Sequence, residues 1–268
     1  MSTSPAIELR NVSLSFEDKH VFSGISFALG AGETLILLGV TGSGKSVLLK
    51  LLMGLIKPDA GQVLIEGRDF VPLTEEELQP IRQRMGIVFQ EGALFDSLSV
   101  YENVAFRFRE EHREDESAIE RRVREVLRFV EMEPAIEKMP AELSGGMRRR
   151  VSVARAIIGD PAIMLYDSPT GGLDPVTSHT IDVLIAKLRD GQHATSVVAT
   201  QRLQDAYLLA NYFFSAETQT LVPLNEVRPP NSIAPTRFLL LRDGGIYFQG
   251  GEQEFVNSPD PYLRKFLA

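Results

Sequence analysis

Eight consecutive residues, Gly39-Val40-Thr41-Gly42-Ser43-Gly44-Lys45-Ser46, fit the pattern G-x-x-x-x-G-K-[ST]. Each residue type there has a use in holding phosphate. Glycines let successive backbone N–H groups turn inward and form an anion-binding nest. A helix starting near Lys45 points its positive end at the same anion. Lys45 adds a mobile cation for β- and γ-phosphates, and the Ser46 hydroxyl is a ligand for Mg2+. Gly39, Thr41, Gly42, Ser43, Gly44, Lys45 and Ser46 are therefore the candidate nucleotide-binding set. Such a site needs a carboxylate at the end of another strand to face Ser46. Ala162-Ile163-Met164-Leu165-Tyr166-Asp167 is an apolar run ending in an acid, so Asp167 is the candidate second magnesium ligand.

These residues need elements to position them. Residues 7–16 and 21–28 alternate apolar and polar, as half-exposed antiparallel strands do. Residues 35–40, 86–89, 162–167 and 195–200 are continuous apolar runs, which suit strands covered on both faces of a parallel sheet. Helical patterns at about 45–55 and 176–190 alternate with them and predict an α/β core. Between about 91 and 158 the strand patterns stop. There Ile119, Val123, Val126, Leu127 and Val130 form one apolar stripe on a charged helix, and the charges of residues 109–124 read as its solvated face. The expected organisation is an α/β core with a β subdomain over 1–90 and 159–268, with a helical subdomain at 91–158. Residues 211–236 show no clear period and read as an uncertain insertion, expected as a loop excursion that is either a partner-binding insertion or a passive loop. Strands are expected again at 237–241 and 246–249.

Composition limits the partners. In 268 residues there are 28 Lys and Arg against 36 Asp and Glu, a net charge of −8, which argues against a general nucleic-acid binder. There is no cysteine, so disulfides and cysteine zinc sites are excluded. No run approaches the roughly 18 apolar residues of a membrane span, and the first ten residues show no apolar core of a signal peptide.

A further stretch, Leu143-Ser144-Gly145-Gly146-Met147 followed by residues 148–156, is a second candidate anion-binding helix start. With the phosphate loop, Gln90 and Asp167 in this order, the chain resembles the nucleotide-binding subunit of ATP-binding cassette (ABC) transporters along nearly its whole length. The resemblance implies an ABC cassette of the P-loop NTPase class, with an N-terminal antiparallel β subdomain, a parallel core sheet and an inserted helical subdomain. It implies ATP and Mg2+ as ligands, with Phe16 stacking on adenine and Gln90 reaching the metal. It also implies a head-to-tail dimer, either a homodimer or a heterodimer with another ABC ATPase. There Ser144, Gly145 and Gly146 of one subunit close over the nucleotide of the other, and Asp174 lies at the contact. Residues 85–106, Gly171-Gly172-Leu173-Asp174-Pro175 and residues 260–267 are similar, more narrowly, to Mla/Mce-type lipid-transport ATPases. That implies a membrane permease docked in a groove near residues 89–95, between Phe89 and Phe95. It further implies an indirect Mce-domain substrate protein and a peripheral place on the cytoplasmic face of the inner membrane.

Two positions depart from the family pattern. Ser168 stands where a Glu normally follows the magnesium Asp, and Gln201 where a His normally follows the strand-ending Thr. Gln90, Ser168 and Gln201 are thus the candidate catalytic positions, two of them degenerate. Serine at neutral pH is no general base unaided, and a glutamine amide cannot shuttle a proton. Three readings follow: slow hydrolysis with water positioned by Gln90, Gln201 and the backbone; pairing with a competent ATPase; or a nucleotide-gated clamp without turnover. A non-transport ABC ATPase is a separate functional class.

Overall fold

Alternation along the chain shapes the first sheet. The computed structural model describes residues 4–17, 19–111, 115–226 and 235–267. Ile7–Phe16 (β1) and Lys19–Leu29 (β2) pair antiparallel, with Ile7 opposite Leu29. Ile7, Leu9, Val12 and Leu14 are buried, and the residues between them are partly or fully exposed. Ala60–Ile65 (β4) and Arg68–Asp69 (β5) extend this sheet in the order β2-β1-β4-β5.

The continuous apolar runs form the second sheet. It comprises Thr34–Leu38 (β3), Met85–Val88 (β6), Ile163–Asp167 (β7), Thr195–Ala199 (β8), Thr236–Arg242 (β11) and Gly245–Gly251 (β12). The order is β12-β11-β3-β8-β7-β6, parallel throughout except for the terminal β11–β12 pair. Burial on both faces explains why these strands lack polar alternation. Within β3, Leu35 and Leu37 join one core with the antiparallel sheet and Lys45–Leu52 (α1), while Ile36 and Leu38 join a second core with the helical region. The strand behind the phosphate loop is clamped from both sides.

Glu75–Arg82 (α2) precedes β6. Between β6 and β7 lie Val100–Glu111 (α3), Glu116–Phe129 (α4) and Gly145–Ile157 (α5), with no strand among the described residues of this stretch. Ile119, Val123, Val126, Leu127 and Val130 are all buried there. The charges on the opposite side are largely exposed, as expected, and several of them pair. Arg124 meets Glu120 at 3.0 Å, Arg109 pairs with Glu116, and Arg122 holds both Asp160 and the Ile158 carbonyl.

After β7 come Pro175–Gln192 (α6) and, beyond β8, Leu203–Asn211 (α7). Residues 211–236 differ from the expected loop. Tyr212–Ser215 (β9) and Thr220–Pro223 (β10) form an antiparallel hairpin, its own two-stranded sheet. Two strands of four residues with polar links are too short to show a period. Their order comes from α6: Arg189 donates to the Tyr212 carbonyl at 2.8 Å and Asp190 accepts from the Phe214 N–H at 2.7 Å. Residues 227–234 of that stretch lie outside the described residues. Glu252–Val256 (α8) and Pro261–Leu267 (α9) follow β12.

Candidate functional site

The loop after β3 turns into α1 at Gly44, whose φ of 98° is left-handed and whose Cβ, if present, would lie 2.9 Å from the Phe22 ring. Only glycine fits this turn. No side chain caps α1, so its first-turn amides remain free for an anion. Lys45 is buried to 8% exposure and donates to the carbonyls of Gly39 and Val40, at 2.7 and 3.0 Å. Burial pulls its pKa below the usual lysine value, and the Asp167 charge opposes that shift.

The expected magnesium ligands meet: Ser46 Oγ donates to Asp167 Oδ1 at 3.0 Å. From the far side, Gln201 Oε1 accepts from Thr41 Oγ1 at 3.0 Å, which brings the end of β8 to the phosphate loop. The cavity of about 640 Å3 above the loop is lined by Thr41, Gly42, Ser43, Gly44, Lys45, Ser46, Gln90, Ser168, Gln201 and Phe16. Phe16 is 47% exposed, unusual for a strand phenylalanine, and leaves a face for a planar ligand. Ser168 sits at φ 47°, held by its N–H on the Ala199 carbonyl at 2.8 Å and by the Gly171 N–H on its own carbonyl at 2.9 Å. A non-glycine residue there costs on the order of 1–3 kcal/mol.

The residues around Ser144 lie elsewhere in the chain. Ser144 caps α5, accepting from the Met147 N–H at 3.2 Å. Gly145 lines a separate cavity of about 600 Å3 with Gln90, Arg148, Arg149 and Gly171–Leu173. Gly146 is required by packing, since a Cβ there would lie 2.3 Å from Thr177 Cγ2 on α6. Asp174 caps α6: it accepts from the Val176 and Thr177 N–H groups, each at 3.0 Å, and from the Thr177 hydroxyl at 2.6 Å. Those bonds hold its carboxyl below the usual range. None of Ser144, Gly145, Gly146 and Asp174 lines the phosphate-loop cavity of its own chain. Buried Arg149 ties the two regions, donating to the Phe89 and Gly171 carbonyls.

Below Gln90, residues 85–95, α2, α3 and Arg155 enclose a groove of about 440 Å3. Its exposed aromatics are Phe95 and Phe106, 4.6 Å apart between ring centroids. Arg155 donates to the Gly92 and Ala93 carbonyls and lies 5.7 Å from the Phe95 ring centroid, fixing the loop.

Sequence reasoning missed Arg242, Asp243, Gly244 and Tyr262, which line the phosphate-loop cavity beside Lys19 and His20. Parallel pairing of β11 with β3, Leu240 opposite Leu38, sets the turn after β11 level with the phosphate loop. The Arg242 guanidinium lies 3.8 Å from the Tyr262 ring centroid and so anchors α9 at the cavity rim. No local pattern announces a contact made by strand register.

The ABC transporter family model matches residues 22–171. The chain belongs to the ABC transporter ATP-binding family. This cassette is 37% identical to the chloroplastic protein TRIGALACTOSYLDIACYLGLYCEROL 3 of Arabidopsis thaliana, over 98% of the chain and 73% of that protein. It is 35% identical to the intermembrane phospholipid transport system ATP-binding protein MlaF of Haemophilus influenzae, over 93% of the chain and 96% of that protein. Among solved structures, the ATP-binding cassette MJ0796, dimeric and bound to ADP and Pi, aligns with a TM-score of 0.76 at 28% identity, over 91% of this chain and 98% of that one. The cassette is thus an ABC ATPase of the P-loop NTPase class, from a family that binds ATP, dimerises and works with membrane permeases.

The residues present fit a magnesium–nucleotide complex. Among the described residues no cluster of three or more His, Asp or Glu forms a metal cage. Magnesium in nucleotide sites takes one or two protein ligands and completes its shell with phosphate and water, which suits the Ser46–Asp167 pair.

Proposed function

We propose that the cassette binds Mg-ATP between the phosphate loop and Phe16, and closes head-to-tail on a second ABC ATPase. Closure then drives lipid transport through a membrane permease. The observation that carries this reading is the Ser46–Asp167 contact beside Lys45 and the uncapped start of α1. Together they supply a cation, free amides and a two-ligand metal seat in one cavity.

Ser46, Asp167 and Gln90 would hold Mg2+, which neutralises phosphate charge when bound. Lys45 exchanges its carbonyl partners for phosphate oxygens. Gln201, already on the phosphate loop, donates its amide to a phosphate oxygen and helps place the attacking water. Ser144 and Gly145, outside the cavity of their own chain, face the nucleotide held by the other subunit. Asp174 sits at that contact.

The lipid cargo is supported by the MlaF likeness along nearly the whole of both chains. The Phe95–Phe106 groove is the seat for the permease, since an apolar groove rimmed by arginines marks a partner site. An Mce-domain protein would be engaged only through that permease. Among the described residues no helix is long and apolar enough to cross a membrane. The MlaF likeness supports a peripheral place at the cytoplasmic face of the inner membrane, held through the permease.

Ser168 and Gln201 favour a second reading, in which the cassette binds ATP but leaves most turnover to a competent partner. Single-turnover ATPase assays on the cassette and on its permease complex separate the two. Hydrolysis well above the uncatalysed rate by the cassette alone supports the first; hydrolysis only when a Glu-bearing ATPase is present supports the second. A pull-down recovering no permease contradicts the transport assignment.

A further inference from the structure

Behind Ser168 and Gln201 lies a polar cluster that does not line the phosphate-loop cavity. Asp205, in the first turn of α7, is 1% exposed. Its Oδ2 accepts from Thr170 Oγ1 at 2.5 Å and from Thr200 Oγ1 at 2.8 Å. Thr170 belongs to the loop that starts at Ser168, and Thr200 directly precedes Gln201. One carboxylate therefore ties together the two loops that carry the degenerate catalytic positions. Arg202 reinforces the tie: its Nε lies 3.4 Å from Asp205 Oδ1 and its Nη1 donates to Ser178 Oγ at 2.7 Å.

Asp182 of α6, 4% exposed, lies against the same carboxylate. Two oxygens of this cluster lack a hydrogen-bond partner, Asp182 Oδ1 and Asp205 Oδ1. A proton carried by one acid and donated to the other satisfies both, as in other buried carboxyl pairs. The charged groups acting on Asp182 are Asp205 and Arg202, both from the α7 segment. β9, which also packs on α6, has no charged residue, and the α5 arginines Arg148, Arg149, Arg150 and Arg155 bond elsewhere. Burial first, and then the Asp205 charge, push the Asp182 carboxyl up to about 8, with Arg202 opposing.

We propose that Asp182 and Asp205 share one proton, and that this pair is the positioning device that fixes the Ser168 loop against the Gln201 loop. Loss of the proton places two like charges side by side in a buried site and loosens both loops. Neither acid lines the phosphate-loop cavity; the pair acts through Thr170, Thr200 and Arg202. The activity readout rests on the ATP-handling reading of the site, whereas the structural readout does not.

The sign of the pH effect follows from the raised carboxyl. An unfolded aspartate releases its proton near 3.8, whereas folded Asp182 keeps it to about 8. The stability from this proton is complete below the lower value and is lost as pH rises through the upper one. Asp182→Asn mimics the protonated form, keeps a donor for Asp205, and has no proton to lose.

The test compares the full chain with Asp182→Asn and Asp182→Leu between pH 6 and 9. It measures hydrogen exchange of residues 168–173 and 200–202, thermal midpoint and ATP turnover. Relative to Asp182→Asn at each pH, the wild type should exchange at least threefold faster in both segments above pH 8 and equally at pH 6. Its midpoint should decline across the range while that of Asp182→Asn stays flatter. Turnover, where present, should fall at alkaline pH through kcat with KM for ATP unchanged, and Asp182→Asn should remove that limb. Asp182→Leu, with no donor, should loosen both segments at every pH. Equal exchange of wild type and Asp182→Asn at all pH values overturns the proposal, and so does an Asp182→Leu chain as protected as Asp182→Asn. If exchange behaves as expected but no ATP is hydrolysed, the positioning pair stands and the turnover reading falls.

Discussion

The two walls of the phosphate-loop cavity are built differently. On the phosphate-loop wall every functional group comes from one stretch of eight residues, and strand β3 behind it is clamped by both cores. On the opposite wall, Ser168 and Gln201 sit at the ends of two different strands, joined by the Ser168–Ala199 backbone bond and the Asp205 carboxylate. In the proposed reading the first wall carries the phosphate-binding groups, while the second keeps its backbone frame but bears Ser168 and Gln201, neither of which handles a proton unaided. Binding and turnover can therefore be separated by mutation, and each of the following experiments presses on one wall or its supports.

The largest effect is expected at Lys45. Lys45→Ala removes the charged donor proposed for the β/γ-phosphates. Loss of two charge-assisted hydrogen bonds of about 1.5–3 kcal/mol each predicts at least about a hundredfold weaker ATP binding. Equilibrium titration with a fluorescent ATP analogue measures it; a change under fivefold means the loop does not bind as described.

Phe16→Ala is expected to weaken ATP by roughly tenfold, the cost of one stacked base of about 1–3 kcal/mol, with little change in thermal midpoint because the ring is half exposed. An unchanged affinity for ATP would assign the base to Tyr262 and Arg242 instead.

Gly146→Ala should cost about 1–3 kcal/mol of stability, because the added methyl overpacks against Thr177. Thr177→Ser in the same chain should restore most of it, since serine keeps the hydroxyl bonded to Asp174 and drops the clashing methyl. Chemical denaturation of the two single variants and the double variant gives the coupling directly. No rescue would locate the cost of the alanine elsewhere.

The smallest effect on the isolated cassette is expected from Phe95→Asp. The ring lies on the groove surface, so stability and ATP affinity should stay within a factor of two, while recovery of the permease in a pull-down should be lost. Undiminished recovery moves the permease seat away from this groove.

How much was legible in the sequence follows the same division. The phosphate loop, Asp167 and the four core strands announce themselves through local pattern, and so does the buried stripe from Ile119 to Val130, because local physics alone dictates each. The hairpin at 212–223 did not, since its strands are set by Arg189 and Asp190 far along the chain. Nor did Arg242 and Tyr262, which reach the cavity through strand register. Asp182 left a trace, an acid inside the apolar stripe of α6 beside Ile181, Leu184 and Ile185. Its meaning appears only when Asp205 is folded against it. Gly146 reads in sequence as part of an anion-binding turn, and the structure adds a packing reason, the Thr177 methyl.

The central claim is that binding is secure while the chemistry is limited at the wall that carries Ser168. Single-turnover hydrolysis of Mg-ATP by the wild type and by Ser168→Glu, each with its ATP affinity measured in parallel, tests it most directly. Restoring a carboxylate base should raise the rate by about 10²- to 10⁴-fold while affinity changes by less than threefold. An unchanged rate at unchanged affinity would contradict the account, because the defect would then lie outside the position where the proton acceptor is missing.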